Sequence, residues 1–428
     1  GMSFSTAISG INAATADLGI VSNNIANAST TGFKASRAEF ADVYATSLLG
    51  AGANAIGAGV SLSSVKQEFG QGNISFTDNS LDLAINGNGF FQLSAEGAIE
   101  YTRAGTFQVD REGFIVSNKG ARLQGFQVSA AGEVTGQLGD IRLDTSLIDP
   151  NATGNIELTS NLDSRDVAPA LAFGGPFDAF ASPPTAPDPE NFNATTSTTI
   201  FDSLGNPHVL SLYYVKTAIP GEWNVYSLVD GVSQTPSGGA LGDPVTLQFT
   251  SDGQFDPASA TQIDIAGYTP VDAAGVPNGA ALQDFTVDLQ ETTQFGTNFA
   301  VSSIVQDGFS AGELGGLQID ESGIAFARYT NGESRALGQI ALASFNNLNG
   351  LQPVGDSNWV ETFASGSANL GEPGTAGLGA IQSAALEDSN VEITAELVNL
   401  IEAQRNFQAN AQVIQANDAI TQIVINLR

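Results

Sequence analysis

The chain has 428 residues, no cysteine and a formal net charge of −31. Its length allows two to four domains with separate cores. The lack of cysteine excludes disulfides, thiolate metal sites and thiol nucleophiles, and the charge argues against nucleic acid as a partner. The sequence contains no uninterrupted apolar run of about 18 residues, so we predict no membrane insertion. We also expect no cleavable secretory signal.

The chain begins with a predicted amphipathic helix, whose apolar residues share one heptad frame that Thr15 and Ser22 interrupt. The predicted subunit-interface residues of this helix are Ile8, Ile11, Leu18 and Ile25. Because an isolated helix is marginal in water, we expect it to be disordered in the free monomer and to order on assembly. The alternative is a two-helix pair that closes one compact monomer.

The body between the two ends has the pattern of β-structure, with alternating apolar residues and turns rich in glycine and asparagine. Fourteen of the sixteen prolines lie between Pro150 and Pro277, which indicates a β domain inserted into another β domain. We predict that 1–30 and 390–428 form a terminal helical core domain and that 31–70 and 360–389 form a connecting segment. Residues 71–145 and 295–359 are predicted to form a first β domain, and 146–294 a second, acidic outer β domain.

Candidate catalytic and metal-binding residues are few. The one histidine, His208, is predicted to be exposed in a turn. The acidic pairs Asp110/Glu112 and Asp252/Asp256 lie in glycine-containing turns, where aspartate commonly accepts hydrogen bonds from local amides. We therefore predict no enzyme activity, no catalytic residue, no metal site and no cofactor.

The C-terminal stretch 391–427 contains neither glycine nor proline and predicts a second, long helix. Ser389 and Glu392 are predicted to form a capping box at its start. Its predicted subunit-interface residues are Leu397, Leu400, Phe407, Ile414, Ile420 and Leu427.

The predicted fold class is a mainly β multidomain protein, with nested domains like barrels or sandwiches and with terminal α-helices that form a coiled-coil-like core domain. Residues 1–66 are electrically neutral and residues 391–428 carry −2, which leaves −29 on the body between them. Near-neutral ends on an acidic body indicate ends that pack together while the body stays solvated.

The segment 22–34, SNNIANASTTGFK, resembles the signature of the bacterial flagellar axial proteins, the rod and hook family. The signature positions are Asn23, Asn24, Asn27, Thr31, Gly32 and Phe33. The run 389–428 is similar to the terminal helix of that family. Hook members in particular are similar to 81–93, 200–216, 327–355 and 359–366.

This resemblance implies a structural subunit that self-assembles into a curved, flexible helical tube, a universal joint that passes motor torque to the filament. It implies an extracellular location at the flagellar hook and basal body, after export by the flagellar type III pathway. The implied partners are further copies of the chain, the distal rod, the hook cap, the hook–filament junction proteins and the export apparatus. Two alternatives remain open at this stage: a distal rod or hook–filament junction subunit, and a secreted β-rich adhesin whose helices dimerise.

Overall fold

The computed structural model of the protein describes residues 2–43, 57–129, 132–143 and 146–426. Its two α-helices are α1 (Met2–Ala26) and α2 (Ile393–Asn426), which confirms the helices predicted at both ends. Leu427, the last predicted interface residue, lies outside the described residues. Among the residues that the structure describes, no helix is long and apolar enough to cross a membrane.

Within the described ranges, twenty-nine strands lie between the two helices. The first ten are β1 (Ser36–Val43), β2 (Gly59–Gln67), β3 (Ile74–Phe76), β4 (Leu83–Asn86), β5 (Phe90–Ala95), β6 (Ala98–Thr102), β7 (Phe107–Val109), β8 (Ile115–Ser117), β9 (Arg122–Val128) and β10 (Val134–Asp140). The next ten are β11 (Asn155–Asp163), β12 (Ala194–Phe201), β13 (Pro207–Lys216), β14 (Glu222–Val229), β15 (Val232–Ser233), β16 (Val245–Gln248), β17 (Gln262–Tyr268), β18 (Gln283–Asp288), β19 (Thr293–Phe295) and β20 (Ala300–Gln306). The last nine are β21 (Leu314–Ile319), β22 (Ile324–Tyr329), β23 (Ser334–Ile340), β24 (Leu342–Ser344), β25 (Gln352–Gly355), β26 (Asn358–Val360), β27 (Asn369–Gly371), β28 (Ala380–Ser383) and β29 (Ala385–Glu387).

The chain forms two compact units. The first unit contains both ends of the chain and the strands next to them, in residues 1–145, 316–328 and 334–428. The second unit is inserted into it and contains residues 146–315 and 329–333. The second unit extends past residue 294, where the sequence placed the end of the outer domain, because β20 pairs antiparallel along β11.

The first unit is built on a 13-stranded sheet whose main path runs β21-β22-β23-β9-β5-β6-β26-β25. Alternate residues of these strands point inward, as their sequence pattern predicts, and form one core that includes Leu93, Leu123 and Ile340. A second, aromatic cluster packs Phe90 and Trp359 together with their rings 5.6 Å apart. Strands from the predicted connecting segment join this unit as well, since β28 pairs with β4 and β29 with β3.

The second unit is a sandwich of two five-stranded sheets. One sheet has β17-β18-β11-β19 with β20 on β11, and the other has β12-β13-β14-β15 with β16 on β14. Residues of both sheets share one core, in which Ile156, Leu212 and Val287 are buried. The core also contains Trp223, whose side chain is fully buried. The core of this unit is therefore formed between its own two sheets.

The proline-rich stretch after β11 is a surface excursion with little regular structure, apart from a 3-10 helix at Pro189–Asn191. It is nevertheless fixed to the outer face of the second sheet. Phe173 is buried and stacks on Tyr226 with ring centroids 4.1 Å apart, and Phe192 meets Tyr213 edge-on at 5.0 Å. Two phenylalanines of this stretch therefore cover the outer face of the second sheet.

Two local predictions were wrong. His208 is buried, not exposed, because it is the second residue of β13 and its ring lies between Asp202 and Asp230. The predicted capping box does not form, because α2 begins at Ile393, so Ser389 lies too early to cap it. The Ser389 hydroxyl instead accepts a hydrogen bond from the backbone N–H of Val391 at 3.3 Å.

Candidate assembly surface and helix junction

The two terminal helices pack against each other in the first unit and run antiparallel. Gly10 lies directly against the Asn410 side chain, and Asp17 lies near Glu402. Burial raises the pKa of Asp17, and the negative charge of Glu402 raises it further. The helix contact therefore contains a like-charge pair, which weakens it at neutral pH.

Small residues fill the buried side of α1. Ala7, Ala14 and Val21 are buried and recur every seven positions. On α2, Ala403 alone is buried among the described side chains, which span residues 393–423. The contact between α1 and α2 within one chain therefore buries small side chains. The larger apolar side chains of the two helices lie outside this contact.

The predicted interface residues occupy this larger, open surface. Those on α1 are half-buried (Ile11, Leu18, Ile25) or exposed (Ile8), and those on α2 are half-buried (Leu400, Ile414) or exposed (Leu397, Phe407, Ile420). All of the predicted interface residues that the structure describes therefore lie on the two helices, and none of them is buried. Sequence reasoning missed the Ala7–Ala14–Val21 stripe, although its seven-residue spacing was visible.

The family signature forms the junction between α1 and the β-structure of the first unit. Asn24 is buried, and its side-chain amide donates to the Ser36 carbonyl at 2.8 Å while its oxygen accepts from the Ser36 N–H at 2.9 Å. This pair of bonds ties the last turn of α1 to the start of β1. Asn23 and Asn27 instead bond to each other, with 2.8 Å between their side chains.

Gly32 is required at its position in the signature. Its φ of +69° favours glycine, and a Cβ there would lie 2.5 Å from the backbone nitrogen of Ala104. Its N–H donates to the backbone carbonyl of Glu387 at 2.8 Å. The neighbouring signature residues Thr31 and Phe33 are half-buried.

A buried ion cluster completes the junction. Lys34 Nζ lies 2.6 Å from Glu387 Oε1, and Arg103 Nε lies 2.7 Å from Glu387 Oε2. The side chains of Lys34 and Glu387 are 1% and 0% exposed. Asn390 adds to the junction by accepting from the Ala35 N–H at 2.8 Å. The cluster thus connects Lys34 of the signature segment with Arg103, with Glu387 and with the segment just before α2.

Sequence reasoning named none of Arg103, Glu387 and Asn390 as functional. They are far from the signature along the chain, so no local spacing could show that they meet Lys34. A charged residue inside an otherwise apolar strand, as Glu387 is in β29, was the one available signal.

His208 is held by two carboxylates, with Nδ1 2.7 Å from Asp230 and Nε2 3.3 Å from Asp202. The hydrogen bond to Asp230 raises the pKa of His208. Burial would raise the pKa of Asp202, but hydrogen bonds from Asn206, Asn278 and His208 hold it at about 2. Within the described ranges, no group of three or more potential metal ligands is placed to hold an ion.

Comparison with known proteins gives the family. Four family models match: flagella basal body rod protein at 4–34, the flagellar hook protein FlgE/F/G D1 domain at 84–165, the flagellar basal body protein FlaE D2 domain at 161–309, and the flagellar basal body rod FlgEFG protein C-terminal region at 382–427. The flagellar hook protein FlgE of Escherichia coli K12 is 36% identical over the full length of both chains. The chain belongs to the flagellar hook protein family. It is a structural subunit of the bacterial flagellar hook.

Other hook proteins agree along the whole chain. The hook protein FlgE of Borreliella burgdorferi is 33% identical, with 98% of each chain covered. That of Rhizobium meliloti is also 33% identical, over 99% of this chain and 98% of its own. The crystal structure of Helicobacter pylori hook protein FlgE2 has a TM-score of 0.52 at 14% identity, over 73% of this chain and all of that one. This likeness supports the fold.

Proposed function

We propose that copies of this chain polymerise through their terminal helices into a flexible helical tube, which acts as a universal joint and transmits motor torque to the filament. The hook relatives support the function. The observation that carries the assembly mode is the exposure of the large apolar side chains of α1 and α2 in the single chain. Such side chains need a partner surface, and further copies of the chain provide one.

The exposed apolar residues of α2 are spread along its whole length. They are Ile393, Leu397, Val398, Ile401, Phe407, Val413, Ile420 and Ile423. Each is about half-exposed, so complete burial is worth roughly 1 kcal/mol per residue. Contacts with neighbouring copies would therefore contribute on the order of 8 kcal/mol per subunit before the entropic cost of association is subtracted.

The kind of contact decides whether a closed ring or a tube forms. A surface that binds a different surface on the next copy gives an open helical polymer when the rotation does not close. The two helices differ in length, 25 and 34 residues, so α1 of one copy and α2 of another are different surfaces. Contacts of this kind favour a tube with the helices at its centre.

Flexibility is the second requirement of a universal joint. Charged residues make up 14% of the chain, and surface ion pairs each contribute about 0–1 kcal/mol. Neighbouring outer surfaces with few such pairs can slide over one another at little energetic cost. Bending would then change contacts between β units while the helical core stays continuous.

The location and the partners belong to the same proposal. The chain would act outside the cell, at the flagellar hook, after export through the flagellar type III apparatus. Its neighbours along the axis would be the distal rod, the hook cap and the hook–filament junction proteins. The support is that flagellar basal body rod family models match both ends of the chain and that a flagellar hook protein model matches 84–165.

Electron microscopy of purified protein tests the proposal. The full chain should polymerise into straight or curved tubes, and a chain trimmed of residues 1–30 and 390–428 should stay monomeric. A full chain that forms only a stable dimer, or a trimmed chain that still forms tubes, would overturn the proposal.

A further inference from the structure

The ion cluster at the junction contains one more positive than negative charge. Lys34 and Arg103 are both buried, and both pair with the single carboxylate of Glu387. Across the described parts of the chain, neither cation has a second carboxylate within 4.0 Å. Buried charges are costly unless they are compensated, so the cluster lacks one counter-charge.

The cluster also has donor capacity left over. Lys34 Nζ makes two hydrogen bonds, to the carbonyl of Gly70 and to Glu387. Arg103 makes four, one to Glu387 and three to backbone carbonyls of the β4–β5 turn region. Because an ammonium group has three N–H donors and a guanidinium group five, each cation has one donor without an assigned acceptor.

Both cations line a pocket in the first unit with a volume of about 280 Å³. Phe69, Phe90 and Phe345 form its apolar walls. Polar side chains share the lining with these rings, but both cations are almost fully buried. Burial lowers the local dielectric, which strengthens the attraction between a cation and an entering anion. Burial lowers the pKa of Lys34 in spite of Glu387, as expected when the compensating negative charge is insufficient.

We propose that this pocket, which we call the junction pocket, binds a carboxylate group supplied by a second copy of the chain. The two unassigned N–H donors would donate to the carboxylate oxygens, and the phenyl rings would contact its apolar stem. Each copy carries 45 acidic and 14 basic residues, so carboxylates are the groups that a neighbouring copy presents most often. This inference rests on the proposed polymer.

Acetate is the probe for the pocket in the full-length monomer. Titration with sodium acetate, against sodium chloride at equal ionic strength, should shift the Lys34 side-chain NMR signals in a saturable way. Lys34→Met, read at the Arg103 side-chain NMR signals, should abolish the response there and still fold, because Arg103 and Glu387 remain as a balanced pair. Lys119→Met, at a surface lysine, should keep it. A wild-type protein without a saturable Lys34 response overturns the site, whether or not the variant folds.

Assembly identifies the source of the carboxylate. In the polymer, acetate should no longer shift the Lys34 signals, and tubes of Lys34→Met should dissociate at a lower temperature than wild-type or Lys119→Met tubes. If acetate binds the monomer and the polymer equally, the site binds a free carboxylate and the second-copy assignment is wrong. If no tubes form, the proposed polymer fails, while the monomer titration still decides whether the pocket binds a carboxylate.

Discussion

The second unit and the helix pair of the first unit differ in which apolar side chains they bury. The second unit buries its large apolar residues between two sheets, with Trp223 and Leu212 almost completely covered. The helix pair covers small residues such as Ala7 and Ala403 and leaves Leu397 and Ile420 exposed. The core of the second unit is buried within the single chain, whereas in the proposed polymer other copies of the chain would cover the exposed residues of the helix pair.

The largest effect should come from breaking the junction that holds the helices to the β-structure of the first unit. Glu387→Gln leaves Lys34 and Arg103 buried without a counter-charge, so the free energy of unfolding of the first unit should fall by about 3–5 kcal/mol. Thermal unfolding followed by circular dichroism measures this. The exposed control Glu372→Gln should be neutral, and equal effects of the two variants would contradict the role of the cluster.

A matched pair of leucines tests the comparison itself. Leu212→Ala should cost the second unit about 2–5 kcal/mol because it opens a cavity in a closed core. Leu397→Ala should cost the monomer less than about 0.5 kcal/mol, since this side chain is 46% exposed. Leu397→Ala should also raise the critical concentration for the assembly of tubes. A Leu397→Ala variant that unfolds readily but assembles normally would reverse the assignment.

A smaller effect is expected at the end of α1. Asn24→Ala removes both hydrogen bonds to Ser36, so it should destabilise the packing of α1 on β1 by about 1–3 kcal/mol. The exposed Asn23→Ala should cost less than about 0.5 kcal/mol. Amide hydrogen exchange in residues 20–26 of the assembled protein measures the difference, and faster exchange in the Asn23 variant than in the Asn24 variant would contradict it.

The smallest effect is a pH dependence in the second unit. The pKa of His208 is raised, first by its hydrogen bond to Asp230, so protonation favours the folded state. This stabilisation should be complete below about pH 6.5, the ordinary value for histidine, and should be lost as the pH rises through the higher native pKa.

His208 is the one histidine of the chain, so its imidazole NMR signal gives the native pKa directly. His208→Asn should remove the pH dependence of unfolding in this range, while it leaves the helix pair unchanged. A native midpoint at or below pH 6.5 would contradict the prediction.

Periodicity along the sequence was enough for the helices and for much of the β-structure, because glycine and asparagine mark the turns. It could not separate the open side of α1 from its covered side, since Ile8 and Leu18 are more apolar than the alanines that are buried. It also could not find the junction, where Lys34 and Glu387 meet across 353 positions. His208 was misjudged because its turn sequence gave no sign that two carboxylates would enclose it.

Hydrogen exchange on monomer and polymer tests the central claim most directly. In the monomer, residues 4–25 and 393–425 should exchange rapidly, and in the polymer they should become strongly protected. The core strands β12–β14 of the second unit should be equally protected in both states. Strong protection of both helices in the monomer, without further change on assembly, would show that the helix pair is already complete and would contradict the account.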